Sequence, residues 1–342
     1  NKIDAKGHTY IYGLIISGDN FIVEENDITV ESDNYYANGI DIEGPATGNV
    51  NDNVIDVTGV ESAYAVYSGM NGAAVSANYA GNQISASAYN VFGFSLCDVI
   101  SNLKDNYIDL NGNYTTGVAY RGSFINATEN KIVLTSSGEG NLTVWEGFGV
   151  EAVGIKVIKG SAVLSNNTIA TSGKGVSLTG NETNAYLTGN FINVVANADK
   201  DAYAIYAKDM GLLYVIDNNV DYQGATMGTG INNALYIDNA TSPVIVSNEF
   251  DLDLVSSYVP WAEVPAGSGN WVSSPISEGI VIANTDDVIF AGNVIDASYI
   301  DVVGSYDTIY AVDFKNSDNA QIEGNKIDAK GHTYIYGLII SG

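Results

Sequence analysis

The 342 residues are long enough to bury a large core, and a hydrophobic content of 46% excludes a disordered chain. Aspartate and glutamate total 40 against 13 lysine and arginine residues, so a net charge of −27 argues against nucleic acid and anionic membranes as partners. No apolar run approaches the roughly 18 residues of a membrane span, and a single cysteine excludes an intrachain disulfide.

The first eighteen residues, NKIDAKGHTYIYGLIISG, recur letter for letter at 325–342. Position 325 therefore repeats position 1 after a period of 324 residues. We interpret the chain as a window on a tandem array, a single domain over 1–342 that holds one unit and the first 18 residues of the next copy. Separate chains stacked end to end, or a chain that closes its own end, also fit this identity.

A shorter motif, Asn followed by any residue and then Ile, Val or Phe, recurs within the unit. Most of its intervals are 23 to 32 residues, and two are longer, at 37 and 45. We expect these asparagines to adopt a left-handed turn and their amides to stack in a hydrogen-bonded ladder. The motif begins at Asn1, Asn26, Asn53, Asn82, Asn106, Asn130, Asn167, Asn190, Asn218, Asn248, Asn293 and Asn325.

Between consecutive motifs a small residue precedes an apolar, variable, apolar triplet, as at Gly39–Ile42 and Gly154–Val157. This alternation predicts short strands with the apolar side chains inward and the variable one outward. Tyr206 and Tyr236 are neighbours in the outward column and should stack, either to stabilise the sheet or as an exposed strip for a partner. The column reads Ile15, Asp41, Tyr67, Ser95, Ala119, Lys156, Ser177, Tyr206, Tyr236, Val281 and Asp313.

Together these periods predict an all-β fold, a right-handed parallel β-helix of about eleven coils per unit with uncapped ends. At about 4.8 Å per coil the unit would be a rod roughly 53 Å long. A leucine-rich-repeat-like solenoid is the competing architecture, but the helical half of each repeat is missing. Because unpaired strand edges associate, we expect the coils to continue axially into further copies.

Two long coils predict protruding loops, at about 135–151 and 255–277. All three tryptophans fall there, Trp145 in the first loop and Trp261 and Trp271 in the second. Prolines at 260, 265 and 275 would stiffen the second loop. The tryptophans are either contacts for a sugar ring or a neighbouring molecule, or rings that fold back over the flank of the rod.

The chain resembles right-handed parallel β-helix repeat proteins over its whole length, specifically the adhesin-like surface proteins of methanogenic archaea. The resemblance rests on the G-N-x-I and G-I-x-I-x-G/N motifs, as at Gly189–Ile192 and Gly39–Gly44. It implies a long, secreted, surface-associated protein. Related repeats also occur in pectate-lyase-like enzymes, so these motifs are specific for the fold and weak for activity.

Catalytic chemistry finds little support in the sequence. Enzymes of this fold need clustered carboxylates with a basic residue, or paired carboxylates on adjacent coils, and no two carboxylates are neighbours in the outward column. Arg121 is the single arginine, and His8 and His332 are one position counted twice. We interpret Asp286 and Asp287 as turn residues.

No metal site and no cofactor is predicted. The acidic stretch Glu24–Asp27 and the pair Asp251 and Asp253 are interpreted as solvated charge, because neither matches a known calcium loop. Six Asn-x-Thr sequons are candidate glycosylation sites, and the acidic, Asn-rich and Tyr-rich composition suggests an extracellular protein. The sequons are at Asn113, Asn126, Asn141, Asn166, Asn181 and Asn239.

We therefore expect a non-enzymatic extracellular protein at the cell surface, a segment of a filament, sheath or adhesin stalk whose partners are further copies of itself. A module that binds glycans or a cell surface through the tryptophan loops is the alternative. A polysaccharide lyase or glycoside hydrolase is the weakest of the three hypotheses.

Overall fold

The structure is a computed structural model. It describes residues 1–342 except 70–73, 138–151, 182, 197–200, 225–231, 255–275, 300–307, 332–333 and 342. In the described residues the fold is all β, with no helix, and every strand pairing is parallel. The chain forms a β-solenoid, as the repeats predicted; its right-handedness stays a prediction.

Many of the strands extend over more than one face of the solenoid. They are β1 (Lys2–Gly7), β2 (Tyr10–Glu24), β3 (Asp27–Ser32), β4 (Tyr36–Asn51), β5 (Val54–Thr58), β6 (Ser62–Ser68), β7 (Val75–Ala80), β8 (Gln83–Leu96), β9 (Ile100–Lys104), β10 (Tyr107–Thr128), β11 (Lys131–Ser136), β12 (Val153–Ser165), β13 (Thr168–Thr171), β14 (Lys174–Thr179), β15 (Asn184–Thr188), β16 (Phe191–Val195), β17 (Ala202–Ile216), β18 (Asn219–Gln223), β19 (Asn232–Val246), β20 (Glu249–Leu254), β21 (Ile276–Ala283), β22 (Ile289–Ala291), β23 (Val294–Tyr299), β24 (Thr308–Lys315), β25 (Gln321–Glu323), β26 (Lys326–Lys330) and β27 (Tyr334–Ser341).

Each coil contributes to three faces, which we number in chain order from the ladder asparagine. Face 1 follows that asparagine directly, as in β1, β3 and β5, whose isoleucines 3, 28 and 55 are in register. Face 2 carries the small–apolar–variable–apolar triplets, and face 3 leads into the next asparagine. Strand β10 spans all three faces within one coil.

The asparagine ladder forms as predicted, in a buried column at the corner between faces 3 and 1. Each side-chain Nδ2 donates to the Oδ1 of the next asparagine at 2.8–3.1 Å. From Asn53 onward, Nδ2 also donates to a face 3 carbonyl of the preceding coil, as from Asn190 to Leu164 at 2.8 Å. Because Oδ1 also accepts a backbone N–H from the preceding ladder asparagine, this corner is well satisfied.

At the ladder corner the left-handed residue is not the asparagine itself, so that part of the prediction was wrong. The residue just before it has a φ of 53–65° in every coil. The ladder asparagine is occupied instead with bonds along the axis, and the sharp turn falls one residue earlier, on polar residues or glycine. These residues are Glu25, Asp52, Gly81, Asp105, Glu129, Asn166, Gly189, Asp217, Ser247, Gly292 and Gly324.

The core is a set of apolar stacks along the axis. The isoleucine of each Asn-x-Ile motif is fully buried in most coils, as at Ile108 and Ile132. The small residue of face 2 packs against it: a Cβ on Gly117 would lie 2.6 Å from Ile132 Cγ2 and 2.5 Å from the Gly154 carbonyl oxygen. Close approach to the face 1 isoleucine and to the backbone of the next coil therefore requires a small residue at this position of face 2.

The variable column of face 2 has the predicted register, from Ile15 paired with Asp41 to Val281 paired with Asp313. It is not a solvent-facing column, however. Asp41, Ser95, Lys156, Val281 and Asp313 are all at least 92% buried. Outward direction from the solenoid axis therefore does not mean exposure on this face, and a sequence pattern of period two cannot distinguish the two.

Candidate functional site

The candidate site is the repeated segment, residues 1–18 and 325–342. Its two copies have the same sequence but contact different coils. In the first copy, β1 pairs with β3, and β2 with β4, on the side of the following coil. Asn1 Nδ2 donates to Asn26 Oδ1 at 3.1 Å, and Lys6 Nζ lies 3.2 Å from Glu31 Oε2. Tyr10 stacks on Tyr36 with ring centroids 5.5 Å apart.

In the second copy the described contacts are to the preceding coil. Strand β26 pairs with β23, and β27 with β24. Asn325 Oδ1 accepts from Asn293 Nδ2 at 2.9 Å, and Lys330 Nζ lies 3.3 Å from Asp296 Oδ1. The Tyr336 ring is edge-on to Tyr310 at 5.4 Å.

A stack of aspartates leads into the second copy along face 1 and was missed in the sequence. Asp221, Asp251, Asp296 and Asp328 are consecutive register partners. Partial burial raises the pKa of Asp251, and the neighbouring carboxylates of Asp221, Asp253 and Asp296 raise it further. Each of the four is the third residue after a ladder asparagine, so indexing from the ladder would have found them.

This stack removes one of the sequence arguments against hydrolysis, because it places carboxylates on adjacent coils. The strand spacing of about 4.8 Å is close to the carboxyl separation of retaining glycosidases, about 5–5.5 Å. Asp251 is exposed on the outer surface of the sheet, however. A general acid needs burial to keep its proton at neutral pH, so the stack alone does not define a catalytic pair.

The outer column of face 3 changes from amides to apolar side chains along the rod. Asn78 Nδ2 donates to Asn49 Oδ1, and Asn102 Nδ2 to Asn78 Oδ1, both at 2.9 Å. These amides line an open groove of about 420 Å³ beside Ile22 and Ile100. The groove lining contains no charged residue.

Further along face 3 the same column becomes apolar. Tyr186 and Tyr214 stack with centroids 4.6 Å apart and an interplanar angle of 3°. Register places them between Val163 and Val244. This aromatic pair also was missed; each tyrosine is the fourth residue before a ladder asparagine.

Tyr206 and Tyr236 stack as predicted, with centroids 5.5 Å apart and an interplanar angle of 6°. Both rings are half-buried. The Tyr203 ring lies 5.0 Å from Tyr206, and Lys174 Nζ is 4.6 Å from the Tyr206 centroid. The pair is therefore part of a cluster on face 2, and its role as a contact for a partner stays a prediction.

The predicted loop contacts Trp145, Trp261 and Trp271 lie outside the described residues, as does the sequon at Asn141. Residues 135–136 belong to β11 and 276–277 to β21, so the expected loops are shorter at these ends. Among the other sequons, Asn166, Asn181 and Asn239 are exposed and Asn113 and Asn126 are half-buried.

Asp98 is a buried carboxylate inside the solenoid. Its Oδ2 accepts from the hydroxyls of Tyr79 at 2.9 Å and Ser101 at 2.7 Å, and its Oδ1 from Ser68. Burial raises the pKa of Asp98, and these hydrogen bonds oppose that shift. The cluster holds the turn between faces 2 and 3.

No helix in the part of the chain that the structure describes is long and apolar enough to cross a membrane. Over the same residues, no group of three or more His, Cys, Asp and Glu side chains is arranged to hold a metal ion.

No family model matches the chain, and no curated protein matches it either. Three solved structures are similar to the chain at 10–13% identity. The Vag8–C1 inhibitor complex matches with 12% identity and a TM-score of 0.44, over 99% of this chain and 100% of that one. The Dettilon tailspike protein matches with 13% identity and a TM-score of 0.40, over 95% and 61%. A mutant of the periplasmic alginate epimerase AlgG matches with 10% identity and a TM-score of 0.32, over 97% and 78%.

Proposed function

We propose that this protein is a non-enzymatic structural segment of a long extracellular rod, in which coils continue axially from one 324-residue unit to the next. The observation that supports it is the pair of identical segments with complementary neighbours. Copy 1–18 contacts the coil that follows it, and copy 325–341 contacts the coil that precedes it. Superposing the two copies would give one segment packed on both sides.

The asparagine ladder supports axial continuation, because its hydrogen bonds at the boundary between units are complementary. The asparagine at position 1 or 325 accepts from Asn293 in one copy and donates to Asn26 in the other. Combined, these bonds make the same link that interior ladder positions make. Apolar side chains of the two copies of the segment are also exposed, including Tyr10 at 58%, Ile15 at 53% and Ile340 at 60%. A continuing coil would bury them, which contributes about 25 cal/mol per Å² of apolar surface.

The rod we propose is a filament, sheath or adhesin stalk at a cell surface, and the adhesin-like proteins of methanogenic archaea are the class it resembles in sequence. A strongly acidic composition and exposed Asn-x-Thr sequons support an extracellular, glycosylated protein. Electron microscopy of native material tests the proposal: rods whose length grows in steps of about 53 Å per unit are expected, whereas compact separate particles would refute it.

A second candidate function is the binding of an uncharged glycan on face 3. The neutral groove combines an amide row with exposed isoleucines, Ile22 at 68% and Ile100 at 42%, and sugars present hydroxyls and apolar C–H faces to such surfaces. We expect Asn78→Ala to lower binding on a neutral-glycan array at least five-fold. The matched control is Asn193→Ala, which removes another outward amide, on face 1 and away from the groove. If the wild-type protein binds no glycan, or if the Asn78→Ala variant binds as well as the wild type, this candidate fails.

A further inference from the structure

The charge of this acidic chain is distributed unevenly around the solenoid. The central outer column of face 3, four positions before each ladder asparagine, runs from Ile22 to Gln321 and contains no Asp, Glu, Lys or Arg. The central outer column of face 1, three positions after each ladder asparagine, has seven aspartates at its twelve positions, from Asp4 to Asp328. Face 3 therefore opposes the approach of another acidic molecule less than face 1 does.

Part of this neutral column is apolar and open to solvent. Five successive register partners form what we call the apolar stretch: Val163, Tyr186, Tyr214, Val244 and Ile289. Tyr186 is 45% exposed, Ile289 is 37% exposed, and the other three are half-buried. Exposed Leu212 and half-buried Ile216, two residues before and after Tyr214, widen the stretch on both sides. Contiguous exposed apolar surface of this kind marks an interaction site.

The two tyrosines present ring edges rather than ring faces to a partner. Their rings stack with centroids 4.6 Å apart and planes 3° apart, so each ring covers one face of the other. Register places Val163 and Val244 on the outer sides of the pair. A sugar that packs its C–H face on an aromatic ring needs an open ring face, whereas ring edges pack well against apolar side chains and other rings. The apolar stretch therefore fits an uncharged protein surface better than a glycan.

Face 3 is large enough for a specific contact. Eleven coils at about 4.8 Å each, with outer columns spread over about 13 Å of strand, give a surface of roughly 600 Å² per copy. Two such surfaces would bury about 1,200 Å² in total, the lower end of the range for specific interfaces. The apolar stretch would form the centre of the contact, and the amides of Asn78 and Asn102 would lie in its polar rim.

We propose that two copies of this chain pair side by side through face 3, with the apolar stretch of one copy against that of the other. A second copy supplies a surface of the same length, the same coil spacing and the same lack of charge, which is the self-complementarity that an isologous contact requires. The pairing is lateral, so it goes beyond the proposed rod and needs no axial contact. In a rod with one such surface in every unit, weak single contacts would add to a strong one.

Sedimentation velocity of the 342-residue chain tests the pairing. The wild type is expected to dimerise with a Kd on the order of 10–100 μM, since the interface is at the small end of its class. Raising NaCl from about 20 to about 500 mM should tighten the dimer about three-fold, because salt screens the repulsion between two acidic chains. An end-to-end contact held by ion pairs, such as the one between Lys6 and Glu31, would instead weaken as salt rises.

Charge insertion then locates the contact. Tyr186→Glu/Tyr214→Glu should weaken dimerisation by about ten-fold or more, because carboxylates would be buried without partners. Tyr186→Thr/Tyr214→Thr keeps β-propensity and adds no charge, and it should weaken dimerisation by about five-fold through lost aromatic contact. The matched control Phe191→Glu/Asn219→Glu adds two charges in the same two coils but on face 1, and should dimerise as the wild type does. Thermal unfolding of each variant checks that its solenoid is intact.

Three results would overturn the inference: a wild type that stays monomeric at about 200 μM, well above the expected Kd, a dimer that weakens as salt rises, or folded tyrosine variants that dimerise as strongly as the control. A monomeric wild type that binds a neutral glycan would also overturn it and would favour the second candidate function. None of these results bears on axial continuation, which electron microscopy of native material tests separately.

Discussion

Replacing one ladder asparagine by alanine tests how the fold is held together. Asn190 lies in the middle of the ladder and is 1% exposed. Its Oδ1 accepts from the backbone N–H of Asn167 at 3.0 Å and from Asn167 Nδ2 at 2.9 Å. Its Nδ2 donates to the Leu164 carbonyl and to Asn218 Oδ1, both at 2.8 Å.

Asn190→Ala removes these four bonds but keeps the backbone N–H bond to Asn218 Oδ1. It leaves three buried groups without those partners: the Asn167 backbone N–H, one Asn167 side-chain N–H and the Leu164 carbonyl. Each buried unsatisfied group costs about 1–3 kcal/mol. The free energy of unfolding should therefore fall by at least about 3 kcal/mol.

The matched control is Asn102→Ala, the same substitution in the outer amide row of face 3. Asn102 Nδ2 donates one exposed hydrogen bond to Asn78. Because water replaces that partner, the expected loss is within about 0.5 kcal/mol.

Urea unfolding and amide hydrogen exchange provide the two measurements. Hydrogen exchange is needed because stacked repeats can open locally without global unfolding. The Asn167 amide should lose protection about 100-fold in Asn190→Ala, as about 1.4 kcal/mol corresponds to a factor of ten. A loss of stability no larger than that of the control, with Asn167 still protected, would show that the ladder hydrogen bonds contribute little to stability.

Three further substitutions test the aspartate stack, the buried Asp98 cluster and the packing of face 2. Because the pKa of Asp251 is raised in the folded state, its contribution to stability is present below the unfolded-state pKa of about 3.9 and is lost as pH rises through the folded-state pKa. The Asp251→Asn variant should therefore be more stable than wild type at pH 7 and equal to it below about pH 4 in urea titrations. Equal stability of the two proteins at both pH values would contradict this. Tyr79→Phe removes a hydroxyl that donates to buried Asp98, so a loss of about 1.5–3 kcal/mol is expected by thermal or urea unfolding; a neutral effect would show that the bond is dispensable. Gly117→Val should lower the free energy of unfolding by about 1–3 kcal/mol or more through overpacking, since a Cβ there would lie 2.5 Å from a backbone oxygen. An unchanged free energy of unfolding would contradict the close approach of faces 1 and 2 at this residue.

Faces 1 and 3 were predictable from the sequence to a greater extent than face 2. They flank the ladder asparagine without an intervening loop, so a fixed offset from it names a register column. Position +3 leads to Asp221, Asp251, Asp296 and Asp328, and position −4 leads to Tyr186 and Tyr214. Both columns could therefore be identified from the sequence by their offset from the ladder asparagine, although the column examined in the sequence lies on face 2.

Face 2 is harder because loops of variable length separate it from the ladder. The small residue before each triplet fixed its register correctly, down to the stacking of Tyr206 on Tyr236. Its burial was not predictable, since a period of two only divides inward from outward. The left-handed turn was misplaced by one residue because asparagine favours both that turn and amide stacking, and the hydrogen-bond accounting of the whole corner decides between them.

Fibre diffraction or helical reconstruction of the native assembly tests directly whether coils continue from one unit to the next. Axial continuation predicts strands perpendicular to the rod axis, stacked about 4.8 Å apart without interruption across the boundary between units, and a longer repeat of about 53 Å from the 324-residue period. An assembly whose coils break at each boundary, with residues 325–341 packed away from the stacking axis, would contradict it.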